Sequence, residues 1–306
     1  MERHTPGNDD NDHEARALRK SEERFRLVFE HAPIGMLISD LKGRFTRVNT
    51  AMADLLGYSV NQLVTMGFAE ITHPEDLNKD ISLVSELLRG KKPRFAMEKR
   101  YVRGDGAILH IMLHGSFVYD GRRPACFIGQ IVDITARKQH EQTMLHIAYH
   151  DQLTGLPNRM LFRDKLTQVL AEGKDKRQML AVIFLDLDRF KIINDTLGHM
   201  MGDQALVLIA DRLAGAVRAS DVVARLGGDE FTVMLPNIKQ EQDVYRVLPK
   251  IIEALEEPLR INGKEFAVSA SMGIALYPRD GQDVDTLLQV ADQAMYSSKS
   301  RKGIND

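Results

Sequence analysis

Two adjacent glycines followed by two adjacent carboxylates, in Arg225-Leu226-Gly227-Gly228-Asp229-Glu230-Phe231, stand between two apolar strand-like stretches. Neighbouring like charges repel and strand interiors disfavour glycine, so the run must be a hairpin turn rather than buried strand. Upstream, Met179 to Leu187 is a nearly continuous apolar run closed by Asp186-Leu187-Asp188. An uninterrupted apolar run of this length predicts a buried strand. The alternation of strand side chains then puts Asp186 and Asp188 on one face. A carboxylate at the end of a central strand beside an acidic hairpin suits Mg²⁺, which takes oxygen ligands from one or two carboxylates and completes its shell with water and substrate phosphates. Two such ions can clamp an in-line phosphoryl displacement. The plainer alternative for Asp186 is an N-cap on the helix expected from Phe190.

Further motifs follow in a fixed order. Asp151-Gln152-Leu153-Thr154-Gly155-Leu156-Pro157-Asn158-Arg159 opens the region. Phe184 to Asp188, Phe190-Lys191, Asn194-Asp195, Gly198-His199 and Gly202-Asp203 lie in its middle, and Ala291-Asp292, Met295-Tyr296 and Lys299 close it. Together with Gly227 to Phe231 they resemble the GGDEF domain, the diguanylate cyclase family, over residues 150–306. The resemblance implies a ferredoxin-like or palm-like βαββαβ core. It also implies condensation of two GTP molecules into cyclic di-GMP, with release of two pyrophosphates, in a homodimer whose subunits each supply half the site.

Residue by residue, the resemblance implies Mg²⁺ (or Mn²⁺) held by Asp186, Asp229 and the main-chain carbonyl of Leu187. Glu230 is either a further ligand or the group that assists deprotonation of the 3′-hydroxyl. Gly227 and Gly228 leave the hairpin backbone open to the nucleotide, where a Cβ would obstruct it. Asn194 and Asp203 resemble the guanine-reading pair, and an unpaired carboxylate would discriminate against adenine. Lys191, Arg225 and Lys299 are candidate phosphate contacts, Arg225 being also grouped with the catalytic residues. The first turn after Asp188 is expected to offer the N–H groups of Arg189 and Phe190 to an anion. No Walker A motif is present. Arg218-Ala219-Ser220-Asp221 resembles the RxxD product-inhibition motif, with Arg218 and Asp221 holding cyclic di-GMP. The closing motif departs from the family: in Lys299-Ser300-Arg301-Lys302-Gly303-Ile304-Asn305 the Gly and the following basic residue look exchanged. The second phosphate cation is Lys302, or Arg301, or missing.

The N-terminal half reads as a second unit. Residues 1–14 are polar and read as a disordered tail, with a helix from Ala15 to Glu30 turning Phe25, Val28 and Phe29 inward. Strands are expected over 35–40 and 44–49, helices over 51–56, 60–66 and 74–88, and strands over 95–102, 107–118 and 125–134. Asn49-Thr50-Ala51, Leu56-Gly57-Tyr58-Ser59, His73-Pro74-Glu75-Asp76 and Asp133-Ile134-Thr135 resemble a PAS domain with its C-terminal portion, a five-stranded antiparallel sheet with helices. The whole chain is then α+β: a tail and helix start over 1–20, the PAS unit over 21–137, a linking helix over 138–149 and the GGDEF unit over 150–306. The linker either sets how two cyclase domains face each other or is a passive tether. The PAS fold does not reveal its ligand. Cys126 lies outside the motif of a flavin-adduct light sensor. Haem would need an axial residue such as His73, His110 or His114. A small apolar or organic ligand, or a purely dimerising role, remains.

Composition bounds the class. A length of 306 residues suits two domains, and a net charge of −2 with 43% hydrophobic residues gives a packed core without implying nucleic-acid binding. A single cysteine argues against a disulfide framework. No signal peptide or membrane-length apolar run is evident, so the expected setting is cytoplasmic, with membrane attachment possible only in a longer parent. Related proteins often continue into an EAL phosphodiesterase domain. An inactive GTP-binding module that regulates such a domain is the alternative to an active cyclase.

Overall fold

The computed structural model describes residues 9–89, 92–173, 178–261 and 263–303. The chain divides into two compact units, Met1–Gln142 and Thr143–Asp306.

The first unit opens with α1 (Asp9–Glu30), followed by β1 (Gly35–Ser39) and β2 (Phe45–Val48). The helix begins well before the expected Ala15. The remainder of the expected tail, residues 1–8, lies outside the described residues. Of the three side chains expected inward, only Phe29 is buried; Val28 is 72% exposed and Phe25 about half exposed. Phe25 and Phe29 instead carry the Arg47 guanidinium over their rings, at 5.5 and 5.0 Å.

Four helices follow: α2 (Thr50–Leu56), α3 (Val60–Leu63), α4 (Phe68–Ile71) and α5 (Pro74–Leu88). Asn49 caps α2, accepting from Met52 N, while its amide donates to the carbonyls of Phe29 and Ile34. The helix expected over 60–66 stops at Leu63. Thr65 and Met66 tighten to bonds with Gln62 and Leu63, and the Met66 carbonyl accepts from Phe45 N of β2. The sheet is completed by β3 (Arg94–Val102), β4 (Ile108–Asp120) and β5 (Arg123–Asp133) in the order β2-β1-β5-β4-β3, all antiparallel. Its inner face packs Leu37, Phe45, Tyr101, Ile111 and Ile131 against Met52, Leu56 and Leu87. Then α6 (Thr135–Tyr149) carries the chain onward and buries none of its side chains; Met144 and Leu145 are 68% and 59% exposed.

The second unit contains α7 (Arg159–Gly173), β6 (Met179–Leu187), α8 (Phe190–Leu197), α9 (His199–Ala216), β7 (Val222–Gly227) and β8 (Glu230–Ile238). It continues with α10 (Gln242–Glu256), the ribbon β9 (Leu259–Ile261) and β10 (Lys264–Phe266), β11 (Ala270–Tyr277) and α11 (Val284–Arg301). Strand order β11-β6-β8-β7, antiparallel throughout, is the βαββαβ arrangement expected. The apolar run of β6 is continuous because both its faces are covered. Ala181, Ile183, Leu185 and Leu187 pack into a core with α9 and α10, while Leu180, Val182 and Phe184 pack into a second core with α7 and α11. A Cβ on Gly273 of β11 would stand 2.0 Å from the Ala291 carbonyl, so this glycine lets α11 lie directly on the sheet.

Candidate active site

The catalytic residues expected from sequence gather where β6 ends beside the β7–β8 hairpin. Gly227 pairs with Glu230, leaving Gly228-Asp229 as the two-residue turn. Gly227 and Gly228 have φ of +146° and +54°, which a residue with a Cβ reaches only under strain, and a Cβ at either would meet nothing within 4 Å. The open space over the turn leaves its backbone accessible to a ligand. Leu187 N donates to the Asp229 carbonyl at 3.3 Å, which ties the strand end to the turn.

Asp186 and Glu230 are direct cross-strand partners, so their carboxylates share a face. Burial raises the Glu230 pKa. The charges of Asp186, Asp292 and Asp229 add to that rise, and Arg159, 3.6 Å away, opposes it. Asp186 is nearly buried and meets the Lys299 ammonium at 3.0 Å. It does not cap a helix: α8 begins at Phe190 after Arg189, and no side chain caps it. Asp188 lies on the same side of the strand and is taken up by three groups. Ser269 Oγ and Ser271 Oγ donate to it at 2.8 and 2.6 Å, and Lys302 Nζ at 3.0 Å. Burial works against its ionisation, but these donors outweigh burial and lower its pKa. Lys302 Nζ also donates to the Ala270 carbonyl at 2.8 Å. Of the candidates for the second cation, Lys302 is therefore anchored to the strand ends; Ile304 and Asn305 of the closing motif lie outside the described residues.

Arg225 has a different position from a free phosphate contact. Its Nε and Nη2 donate to the Gly228 carbonyl at 2.9 and 2.7 Å, and Nη1 donates to Asp151 at 2.8 Å. Its backbone N–H donates to the Pro157 carbonyl. The guanidinium thus braces the hairpin turn against the opening motif.

Arg189 adopts φ +58°, a left-handed conformation uncommon for a non-glycine residue, as the chain turns from β6 into α8. Phe190 is buried, whereas Lys191 and Asp203 are exposed and Asn194 is half-buried. A Cβ on Gly202 would fall 1.8 Å from Asn194 Oδ1, so this glycine creates the space in which the Asn194 amide lies over α9. Arg218 and Asp221 close a turn on themselves: Asp221 Oδ2 accepts from Arg218 N at 3.0 Å. Both line a cavity of about 410 Å³ with Asn237, Lys239, Arg246 and Lys250.

Sequence reading passed over the roles of Arg159, Asp292, Ser269, Ser271 and Asp151. Arg159, Asp292 and Asp151 appeared only as members of motifs. The two serines carried no signal, because their part depends on β11 lying beside β6.

The model of the family described as diguanylate cyclase, GGDEF domain, matches residues 148–305, just over half the chain. The chain belongs to the GGDEF family. The PAS fold family matches residues 23–134. The GGDEF half is 47% identical over 166 residues to the diguanylate cyclase TpbB of Pseudomonas aeruginosa, covering 54% of this chain and 38% of that protein. It is 42% identical over 167 residues to MucR of the same organism, a bifunctional diguanylate cyclase/cyclic di-GMP phosphodiesterase, covering 55% of this chain and 24% of that protein. Among solved structures, the coiled coil and GGDEF domain of DgcB from Caulobacter crescentus, in complex with c-di-GMP, is 27% identical. It covers 56% of this chain and 90% of that one at a TM-score of 0.50. The chain spans well under half the length of the curated relatives it matches.

Among the described residues, no three His, Cys, Asp or Glu side chains converge closely enough to hold a metal ion. Two carboxylates opposed across β6–β8, with Glu230 pushed up by burial and by its acidic neighbours, nonetheless fit a divalent cation. Such an ion is commonly held by one or two carboxylates plus substrate phosphates. No helix among the described residues is long and apolar enough to cross a membrane.

Proposed function

We propose that this chain condenses two GTP molecules into cyclic di-GMP and two pyrophosphates, as a homodimer in which each GGDEF unit presents one nucleotide. The observation that carries this reading is the facing pair Asp186 and Glu230 beside a glycine turn with open space above it. In the reaction, each 3′-hydroxyl oxygen bonds to the α-phosphorus of the other GTP. The α–β bridging P–O bond breaks, and pyrophosphate leaves with its electron pair. The hydroxyl proton needs an acceptor. Glu230 suits that part, because a raised pKa brings a carboxylate nearer the operating pH. Phosphoryl transfer is otherwise mostly positioning and charge stabilisation.

Asp186, Asp229 and the Leu187 carbonyl would hold Mg²⁺ or Mn²⁺, with Glu230 a further ligand where it is not the proton acceptor; the ion when bound polarises the phosphoryl oxygens and offsets developing charge. Lys299, Lys191 and the Arg189 and Phe190 N–H groups contact the phosphates, and Asn194 and Asp203 read guanine. Arg225 acts by holding the turn. Cyclic di-GMP also binds at Arg218 and Asp221, where Lys239, Arg246 and Lys250 surround the cavity with positive charge suited to its phosphates. The PAS unit regulates output through α6.

A second reading is a weakly active GTP-binding module that controls a phosphodiesterase domain. The anchoring of Lys302 on Asp188, in place of the family's usual closing arrangement, favours it. Cyclic di-GMP formation from GTP and Mg²⁺, measured beside an Asp229→Ala/Glu230→Ala double variant, separates the two. Product from the parent alone supports the cyclase. GTP binding and dimer formation without product from the parent support the regulatory module.

A further inference from the structure

Asp188, the carboxylate just past β6, is buried beside the candidate site, yet no step of the proposed reaction uses it. Ser269 Oγ, Ser271 Oγ and Lys302 Nζ all donate to its side chain, and its own N–H donates to the Ser269 carbonyl at 2.8 Å. Main chain and side chain together clamp it to the start of β11, and Lys302 ties it to the end of α11. The next residue, Arg189, stands at φ +58°, and no side chain caps α8. A non-glycine residue persists in the left-handed region only where its surroundings over-determine it. The clamp on Asp188 lies immediately before it.

Charge gives Lys302 its part. Two lysines three residues apart, Lys299 and Lys302, descend on two carboxylates two residues apart, Asp186 and Asp188, each pair at 3.0 Å. A buried carboxylate with no counter-charge would repel a triphosphate brought beside it. Lys302 Nζ is committed to Asp188 and to the Ala270 carbonyl, so it cancels that charge from within the protein.

We propose that Asp188 is a positioning residue that holds the turn of Arg189 and Phe190 in its phosphate-receiving form, and that Lys302 is its counter-charge rather than a nucleotide contact. This deepens the reading of the site as one for GTP, and rests on it.

Calorimetry on the full chain with Mg²⁺ tests it, using 3′-deoxy-GTP, which lacks the attacking hydroxyl and so reports binding without turnover. Lys302→Met is expected to weaken 3′-deoxy-GTP about tenfold, by leaving a like charge unscreened. Asp188→Asn/Lys302→Met removes that charge, while the amide still accepts from one serine and donates to the other. It is expected to return the affinity to within about threefold of the parent. Ser269→Ala/Ser271→Ala keeps both charges but loosens the clamp. It is expected to weaken 3′-deoxy-GTP about tenfold and leave guanosine, followed by ligand-observed NMR, unchanged.

A double variant as weak as Lys302→Met would make Lys302 a phosphate contact and overturn the proposal, as would a Lys302→Met variant that binds like the parent. Guanosine and 3′-deoxy-GTP weakened alike by the serine changes would mean a general loss of structure, and no loss of either would mean an idle clamp; both overturn the positioning role. A parent that binds no 3′-deoxy-GTP refutes the GTP reading itself, and the proposal falls with it. The Lys302 side chain is 43% exposed, so its replacement spares folding; if the serine variant does not fold, the Lys302→Met rescue still decides.

Discussion

Asp76 holds its carboxyl at about 2 against an ordinary 3.8, chiefly through the hydrogen bond from the Arg100 side chain, with burial opposing. Folding therefore strips its proton at a lower pH than the unfolded chain does, and the unfolded state binds more protons between those values. The stabilisation is complete above 3.8 and disappears as pH falls through about 2. Urea titrations across that range are expected to show the first unit losing stability on this leg. Asp76→Asn should flatten the leg and cost about 2 kcal/mol near neutral pH, as a charge-assisted bond does. An unchanged acid leg would show that Asp76 is not its source. Arg225 makes a second residue-level test. Its guanidinium bonds to Gly228 and Asp151, so Arg225→Ala should lower kcat about hundredfold through a misplaced turn while leaving KM for GTP nearly unchanged. A large rise in KM with kcat preserved would instead mark it as a phosphate contact.

Between elements, α8 packs on α9, and on the proposed function this packing sets the nucleotide side of the site. Gly202 is the point of closest approach, and Gly202→Ala places a methyl group where Asn194 Oδ1 now lies. Because Asn194 must then move, GTP affinity is expected to fall about tenfold, with the preference over ATP reduced in parallel. Calorimetry with both nucleotides reads this directly, and unaltered selectivity would remove Asn194 from guanine recognition. The acidic hairpin and its strand were legible in sequence at this scale, because local periodicity and turn chemistry alone specify them. The face of α1 was not. Val28 and Phe25 fit an inward stripe by spacing, but the helix buries Phe29 and leaves Val28 in solvent. Several rotations of a short apolar stripe satisfy the same pattern, and packing chooses among them.

Across the whole chain, α6 is the element that leads from the PAS unit to the GGDEF unit, and its Met144 and Leu145 are exposed. If the helix transmits a signal, its phase matters. One residue inserted near His140 turns everything beyond it by about 100°, whereas four residues add roughly one turn. Cyclic di-GMP synthesis should fall more than tenfold with the single insertion and recover substantially with the four-residue insertion, both variants retaining parental helicity by circular dichroism. Equal rates in parent and variants would make α6 a passive tether.

The sequence by itself determined the order of units, the two-faced burial of β6, the glycine turn of the β7–β8 hairpin and the family. Each of these is written in local periodicity, in turn chemistry or in a run of motifs. Only the tertiary structure decided which charges meet: Lys299 with Asp186, Lys302 with Asp188, Arg225 with Asp151 and Lys99 with Asp80. A lysine or arginine reads in sequence as a surface charge whatever its fate, since long side chains favour water. Its partner is set by which distant segment the sheet and helices bring within a few ångströms. Packing, not spacing, therefore anchored Lys302 on Asp188, braced Arg225 between Gly228 and Asp151 and buried Lys99 against Asp80.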